Sequence, residues 1–363
     1  EIEAASRLAA QATFGMPFEA LEPMARQGTE GWIVSQFNQP PTYHRPVILD
    51  IVQRRDAGEF DAFEQDIEYL IFSRRLSWWH NTVTASDQLR QRVAFALSQI
   101  FVVSDNVDTL QVYPFALGTY YDLMLENAFG NFRDLLRDVA LSPAMGLYLS
   151  HLNNNRSDPA NNIFPDENFA REVMQLFSIG LFELEPDGTV ITDINGDPVP
   201  AYDNDDIREF AKVFTGLSIG GDNAFFGNEI APRFDIPMEM FEANHEPGEK
   251  QLLNGAVIPA GLTGEQDIEL AIDNLFNHPN VGPFFGRQLI QRLVTSNPSP
   301  EYVQRVGSTF ADNGFGVRGD MRAVIRAVLL DPEARDPSLA PNGGKLREPV
   351  VRYVSILRQF GAT

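Results

Sequence analysis

The sequence predicts an all-α protein, a multi-helix globular bundle with one or two short β-hairpin excursions. Apolar residues recur at helical spacing in segment after segment, sustained β alternation is absent, and no internal repeat or low-complexity tract interrupts the pattern. A hydrophobic fraction of 44% over 363 residues is ordinary for a folded protein and sufficient for a large core. Since no clean linker divides the chain, we expect a single helical domain over residues 1–363.

The first half of the chain divides into helices at breakers and capping residues. The strongest helix has Ser86 as its cap. Behind this cap, Leu89, Val93 and Leu97 recur at helical spacing. The proline-rich residues 38–46 are predicted to be a linker. The predicted helices of this half span residues 2–12, 17–24, 29–37, 60–80, 86–104, 114–128 and 131–141.

The second half adds helices and an irregular region. Turn residues at 187–188 and 195–197 separate short β-branched runs, which predicts a hairpin over 183–202. Residues 218–262 are irregular, and long irregular segments in a helical body usually hold sites or lids. We therefore expect 183–262 to be an insertion that forms a site or a lid. The predicted helices of this half span residues 164–180, 203–217, 265–277, 279–295, 299–312, 319–331 and 346–360.

Charge and composition exclude several classes of function. The formal net charge of −22 argues against binding to nucleic acid phosphates and to anionic lipid surfaces. The chain has no cysteine, so disulfides, thiol nucleophiles and thiolate metal sites are excluded. No apolar run approaches the roughly 18 residues of a spanning helix, so we expect no integral membrane segment. Neither a P-loop nor a metalloprotease or serine-hydrolase motif is present.

A dense polar face on the helix predicted at 164–180 is the first candidate active site. Glu172 lies there between a cation and two amides, and a carboxyl group in such a cluster can serve as a general acid or base. Two carboxylates and a guanidinium on one face also permit a plain surface salt bridge, so both interpretations stay open. The predicted catalytic residues are Glu167, Arg171, Glu172 and His245, and the predicted substrate-binding residues are Asn168, Gln175, His151, Glu246, Arg287 and Arg347.

A second polar cluster opens the last predicted helix, in 345-KLREPVVRYV-354. Arg347 and Arg352 complement a helix N-terminus poorly, because positive charge is disfavoured there. Their presence indicates a partner, either a buried carboxylate such as Glu172 or a bound anion. The helix over 279–295 adds Arg287. A buried structural network and a ligand pocket are equally open for these residues.

The histidines permit a metal site only through distant segments, since none of the five forms a local pair. His151 opens an Asn-rich loop. His245 lies in a Pro-Gly turn beside Glu246, where it is an exposed turn residue, a metal ligand or a general base. Residues 193–198 alternate oxygen-bearing side chains as calcium loops do, but the twelfth position is Asn204 instead of the bidentate Glu, so a plain turn is favoured.

Several ordered motifs resemble the DUF1800 family, a bacterial family of unknown function. They include LAAQATFG, LRQRVAFALSQIFVVS, PDENFAREVMQLFSIGLFEL, HEPGEKQLL and GKLREPVVR, and the resemblance runs from about residue 5 to 360. The resemblance implies a mostly helical, exported protein that is secreted or lies in the periplasm or at the cell surface. It also implies that the protein is often encoded beside a DUF1501-type partner protein, which resembles sulfatases and phosphatases. It supplies no settled activity, catalytic residue or cofactor.

The chain departs from this family at two places. Many members carry a Trp-His-Asn-His run where this chain has 96-ALSQI-100, so a metal site built from those histidines is not expected. Members also usually continue past the Arg-Glu-Pro motif, so we expect the family's C-terminal portion to be absent from this chain, which ends at Thr363.

Three functions follow as hypotheses. The first is an exported hydrolase that acts on an extracellular polymer, a polysaccharide foremost, through the Glu/Arg cluster; Trp78, Trp79, Phe225 and Phe226 are candidate platforms for sugar rings. The second is a metal- or redox-dependent enzyme that uses His151 and His245. The third is a non-enzymatic exported binding or assembly protein, in which the Glu/Arg network holds helices together.

Overall fold

The computed structural model describes residues 1–59, 66–106, 110–111, 113–222, 224–227, 233–339 and 343–362. These residues are mostly helical, which confirms the predicted fold class. The helices, in chain order, are α1 (Ile2–Ala12), α2 (Phe18–Gln27), α3 (Thr29–Phe37), α4 (His44–Asp56), α5 (Asp66–Thr84), α6 (Gln88–Ser98), α7 (Pro114–Asn127), α8 (Phe132–Ala140), α9 (Pro143–Tyr148), α10 (Asn168–Gln175), α11 (Asn204–Val213), α12 (Gly264–Phe276), α13 (Val281–Leu293), α14 (Pro300–Ala311), α15 (Met321–Leu330), α16 (Pro332–Arg335) and α17 (Pro349–Gln359).

Helices α1 and α11 begin within one residue of their predicted starts, whereas the helix predicted at 86–104 begins at Gln88, with Asp87 and not Ser86 at its N-cap, and ends at Ser98. Helix α1 has the predicted bounds, and α11 begins at a capping box in which the side chains of Asp203 and Asp206 each accept from the other's backbone N–H. The first part of the helix predicted at 60–80 lies outside the described residues, and α5 is described from Asp66 to Thr84.

Helix α4 begins inside the predicted linker, at His44. Its N-terminus is capped by a side chain of α7: Asp122 Oδ1 accepts from the backbone N–H of His44 at 2.7 Å, and Oδ2 accepts from that of Arg45 at 3.0 Å. These are two of the N–H groups that a helix leaves without an internal partner. The cap comes from a residue 78 positions away, so no local pattern marks the start of α4.

The helix predicted at 164–180 is shorter than expected. Helix α10 ends at Gln175, and the next residues fold back as tight turns in which the backbone N–H groups of Ile179 and Gly180 both donate to Met174 O, at 2.9 and 3.0 Å. Gly180 has a φ of 77°, a left-handed conformation that favours glycine and ends helices.

The β-structure in the described part of the chain is confined to short antiparallel pairs. Strand β1 (Leu217–Ser218) pairs with β2 (Glu239–Met240), and β3 (Lys250–Gln251) pairs with β4 (Val257–Ile258). The hairpin predicted at 183–202 consists of the isolated bridges Phe182–Pro200, Leu184–Val190 and Thr192–Pro198.

Buried apolar residues form one large core cluster that runs in sequence from Ala5 to Ala334. A smaller cluster joins Phe14 to Val351 and Val354 of α17, with Trp78 packed against it.

Candidate functional site

Two residues of the predicted catalytic face form a surface ion pair. Arg171 Nη2 lies 3.3 Å from Glu167 Oε2, and both side chains are 40% exposed. Arg208 of α11 approaches the other oxygen of Glu167 at 3.9 Å. Exposed pairs at this spacing stabilise a helix by only a few tenths of a kcal/mol. The neighbouring Asn168 is also exposed.

Glu172 has different surroundings on the same helix. Its side chain is half-buried, and its Oε2 is buried without a hydrogen-bond partner among the described residues. Burial raises the pKa of this carboxyl, against the opposing effect of Arg171. Beside it, Gln175 accepts a hydrogen bond from the Tyr202 hydroxyl at 3.1 Å. The catalytic role of Glu172 stays a prediction, and its environment is one in which a carboxyl holds a proton more readily.

His245 lies in a buried charged cluster and not on this face. Its Nε2 is 3.0 Å from Asp267 Oδ2, and its Nδ1 donates to the Thr215 carbonyl at 2.9 Å. Lys250 Nζ reaches the same oxygen of Asp267 at 2.5 Å. Both ring nitrogens are thus occupied, so in this arrangement neither is free to bind a metal or to accept a proton from a substrate.

Hydrogen bonds compensate the charges of this cluster. Lys250, which is 1% exposed, also donates to the carbonyls of Glu246 and Gly248 at 2.6 and 3.0 Å. Burial acts to raise the pKa of Asp267, but hydrogen bonds from His245 and Lys250 outweigh it and hold the pKa below its usual range. The 245-HEPGEK-250 motif therefore closes a loop onto α12 through paired charges.

His151 is also interior. Its ring stacks on Phe169 with centroids 3.9 Å apart, and its Nε2 donates to the Ala140 carbonyl at 2.8 Å. Burial lowers its pKa to about 4, so the ring is neutral at physiological pH. Its Nδ1 has no partner within the described ranges.

The remaining predicted binding residues lie apart from one another. Glu246 accepts from the backbone N–H of Ser157 at 3.2 Å, and Arg287 lies beside Gly188 of the 183–202 hairpin. Arg347 lines a cavity on the side of the molecule formed by α1 and the segment before α17. The predicted site residues are thus distributed over at least four locations, and their binding roles stay predictions.

The predicted aromatic platforms differ in exposure. Trp78 packs edge-on against Phe14 at 5.7 Å, and Trp79 against Tyr353 at the same distance. Both tryptophans belong to the packing around the smaller core cluster. Phe225 is 55% exposed, whereas Phe226 contacts Phe241 edge-on.

A cleft that the sequence did not predict gathers carboxyl groups from two helices. This acidic cleft has a volume of about 540 Å³ and lies between α4, α7, α8 and residues 234–237. Asp122 and Glu126 of α7 and Asp138 of α8 line it, opposite Tyr43. Concave sites of this size with perturbed carboxyl groups are typical of small-molecule and active sites.

A fourth carboxyl group in the wall, Asp235, is paired with Arg233 and Arg45, and the three helical ones have different environments. Asp122 accepts three hydrogen bonds, two from the N-terminus of α4 and one from His44 Nδ1 at 3.0 Å, so its oxygens are committed to structure. Asp138 accepts from Asn127 at 2.9 Å, and burial raises its pKa. Glu126 is exposed. The pKa of Tyr43 is raised first by the burial of its own hydroxyl and second by the neighbouring Glu126 carboxylate. The cleft thus combines a carboxyl that favours its proton with an exposed carboxylate.

Sequence reasoning missed this cleft because its decisive property is burial. The i,i+4 spacing of Asp122 and Glu126 was available, since it places both on one face of α7 with Cβ atoms about 6 Å apart. Nothing in the local pattern indicates that α8 would bring Asp138 beside them.

A second cavity adjoins the acidic cleft. It has a volume of about 610 Å³ and shares Leu141 and Pro237 with the cleft. Its wall is largely apolar and includes Met238 and Met240, with Arg137 and Glu269 at its edge. The two cavities thus adjoin at Leu141 and Pro237.

Within the part of the chain that the structure describes, no His, Cys, Asp and Glu side chains form a group of three or more arranged to hold a metal ion. Among the same residues no helix is both long enough and apolar enough to span a bilayer. The model of a family described as a protein of unknown function, DUF1800, matches residues 7–363. No curated protein and no solved structure matches the chain.

Proposed function

The chain belongs to the DUF1800 family of proteins of unknown function, and we propose that it is a hydrolase that cleaves an extracellular polymer, a polysaccharide foremost, in the acidic cleft. The observation that carries the proposal is the meeting of Asp138 and Glu126 in one cavity of about 540 Å³. Two carboxyl groups with different environments are the usual equipment for hydrolysis of a glycosidic bond.

Asp138 supplies the general acid. Burial raises its pKa, so it retains a proton more readily than an exposed aspartate does. The Asn127 amide, 2.9 Å away, fixes the orientation of the carboxyl group. In the proposed reaction Asp138 gives its proton to the leaving oxygen as the glycosidic C–O bond breaks.

Glu126 supplies the general base. It is exposed within the cleft, and in the proposed reaction it takes a proton from the attacking water while the water oxygen bonds to the sugar carbon. Asp122 is unsuited to this role because its oxygens already accept bonds from His44 and Arg45. The products are two hydroxyl-bearing ends, and the protons balance over the cycle.

The adjoining cavity supports a polymeric substrate. A chain bound across both cavities would extend past the shared wall at Leu141 and Pro237. Leu49, which is 45% exposed, supplies apolar surface along the acidic cleft, which suits the apolar faces of sugar rings. The family resemblance implies an exported location and a DUF1501-type partner protein. We include the location and the partner in this proposal.

A binding or assembly function without chemistry is the second candidate. It is favoured by the apolar wall of the adjoining cavity, where Met238 and Met240 offer an adaptable contact surface. In that case the protein would bind the polymer, and Asp138 and Glu126 could be replaced without loss of function.

A panel of extracellular polysaccharides incubated with the protein tests the proposal through the release of reducing ends. We expect Asp138→Asn and Glu126→Gln each to lower turnover by about 100-fold or more while polymer binding persists. Asp134→Asn is the matched control, because Asp134 is an exposed aspartate on the same helix α8. Loss of activity in Glu172→Gln but not in Asp138→Asn would move the reaction to helix α10.

A further inference from the structure

A basic cavity lies at the junction of α1, α6, α13 and the segment that precedes α17. Its volume is about 350 Å³, and its wall carries the cations Arg7, Arg92, Lys345 and Arg347 against the single carboxylate of Glu3. In a chain whose formal charge is −22, four cations on one wall are an unusual concentration. The volume falls in the range of sites for small molecules.

Arg92 is the buried member of this basic cavity. It is only 2% exposed, and its Nη2 donates to the Arg292 carbonyl at 2.7 Å. Its Nε and Nη1 are buried and have no hydrogen-bond partner in the part of the chain that the structure describes. These two nitrogens carry three of the five N–H donors of the group. A buried guanidinium with unpaired N–H groups destabilises the folded state, so a ligand that accepts hydrogen bonds from these groups would remove part of that free-energy cost.

The nearby carboxylate does not satisfy Arg92. Glu348 lies close enough to favour the charged form of Arg92, but its Oε1 accepts from Lys345 at 3.1 Å. Gln99 donates to the same oxygen at 3.4 Å. Burial lowers the pKa of Arg92 to about 10, so the group remains charged at physiological pH.

The other arginines are also uncommitted. Arg7 and Arg347 are half-buried, and neither makes a hydrogen bond or an ion pair with any described residue. An arginine presents a planar fork that matches the oxygens of phosphate, sulfate or carboxylate groups. Three forks from α1, α6 and the segment before α17 therefore line one space, and apart from the Nη2 of Arg92 their nitrogens have no hydrogen-bond partner among the described residues.

We propose that this basic cavity binds a tetrahedral oxyanion, a phosphate or sulfate group, either as the free ion or as an ester on a small organic molecule. Arg92 forms the floor of the site, and Arg7 and Arg347 close on the anion from two sides. Lys345 contributes charge while it bridges to Glu348. The site is independent of the acidic cleft, since the two share no lining residue.

Isothermal titration calorimetry of the full chain with inorganic phosphate, inorganic sulfate and a hexose phosphate tests this site, with sodium chloride at matched ionic strength as the reference. We expect saturable binding with a dissociation constant below about 1 mM for at least one probe. A tighter constant for the hexose phosphate identifies an ester as the ligand, and equal or weaker binding identifies the free ion.

Variants on the same segment give the decisive comparison. Arg347→Gln and Arg7→Gln should each weaken binding by about tenfold, the loss of a charge-assisted hydrogen bond. Arg352→Gln is the matched control, because Arg352 is exposed on α17 and does not line the cavity. Absence of saturable binding, or equal weakening in Arg352→Gln, overturns the proposal. Arg92→Met is informative only as a second variant, once its melting temperature shows that it folds.

Discussion

His245 Nε2 and Asp267 Oδ2 lie 3.0 Å apart in the interior, and each of the two residues is 2% exposed. Lys250 shares the same carboxylate oxygen at 2.5 Å. Lys250 and Asp267 form a buried ion pair to which His245 adds a hydrogen bond, so loss of Asp267 would leave Lys250 buried without a counter-charge. This triad fastens the irregular segment before β3 to α12.

Asp267→Asn should therefore destabilise the protein by about 3 kcal/mol or more, because it leaves Lys250 and His245 without their anion. Urea denaturation at neutral pH measures the free energy of unfolding. Arg26→Ala is the matched control, since its pair with Glu22 is 67% and 65% exposed and should change stability by under about 1 kcal/mol. A change of the same small size in Asp267→Asn would mean that the triad is not a stabilising element.

The pH profile of hydrolysis should follow Asp138. Its folded pKa is raised by burial, so the protonated acid is lost, and turnover falls, as the pH rises through that value. The same shift makes the folded state bind this proton more tightly than the unfolded chain. Its stabilising contribution is therefore full below the ordinary aspartate pKa and is lost as the pH rises. In Asp138→Asn, the contribution of this group to the pH dependence of turnover and of the free energy of unfolding should disappear. Rate and denaturation measurements across the pH range test this.

His151 should make the fold sensitive to mild acid. Its pKa falls from 6.5 to about 4, so the unfolded chain takes up a proton in this window while the folded state does not. Stability should decline by about 3 kcal/mol as the pH falls from 6.5 to about 4. The contribution is intact above the unfolded pKa. Denaturation at a series of pH values measures the slope.

His151→Phe separates the titration from the packing. It removes the ionisable ring and the bond to Ala140, so it should lower neutral-pH stability by about 1 kcal/mol but flatten the acid slope. His80→Gln is the control, because His80 is exposed. An unchanged slope in His151→Phe would assign the acid sensitivity to other groups.

We expect Asp122 to have a structural role, in contrast to the catalytic role proposed for its neighbour Glu126. Asp122→Ala removes the cap from two N–H groups of α4 and should cost about 1–2 kcal/mol. Glu126→Gln, one turn away on α7, should leave stability nearly unchanged while it abolishes turnover. Thermal unfolding of both variants beside the hydrolysis assay checks the division. Equal melting temperatures would show that Asp122 is not needed as a cap.

The elements that sequence reasoning recovered are those whose signals are local. Helix α1 carries its own apolar spacing and has the predicted bounds, and α11 carries its own capping box and begins within one residue of the predicted start. The start of α4 was missed because Asp122 caps it from another helix. The end of α10 was placed too late because the apolar spacing continues into the turns that follow Gln175.

The candidate sites depended more on tertiary structure than the fold did. The sequence singled out polar residues but could not tell that Glu167 would face solvent or that His245 would be enclosed. For Arg347 the position at the start of a helix indicated either a buried carboxylate or a bound anion as its partner, and this stays a prediction. Asp138 has no such local signal, because only the packing of α7 on α8 changes its environment.

Gly15 and Ser355 bring distant parts of the chain into van der Waals contact. A Cβ on Gly15 would lie 2.6 Å from the Cα of Ser355, and Arg358 donates to the Gly15 carbonyl across 343 positions at 2.7 Å. Such a contact closes a very large loop. The chain must lose the conformational entropy of that loop before the contact contributes any stabilising energy. During synthesis the turn at Phe14 and Gly15, which follows α1, must therefore wait for α17 to emerge before these contacts form. We expect this docking to be a late, slow step of folding.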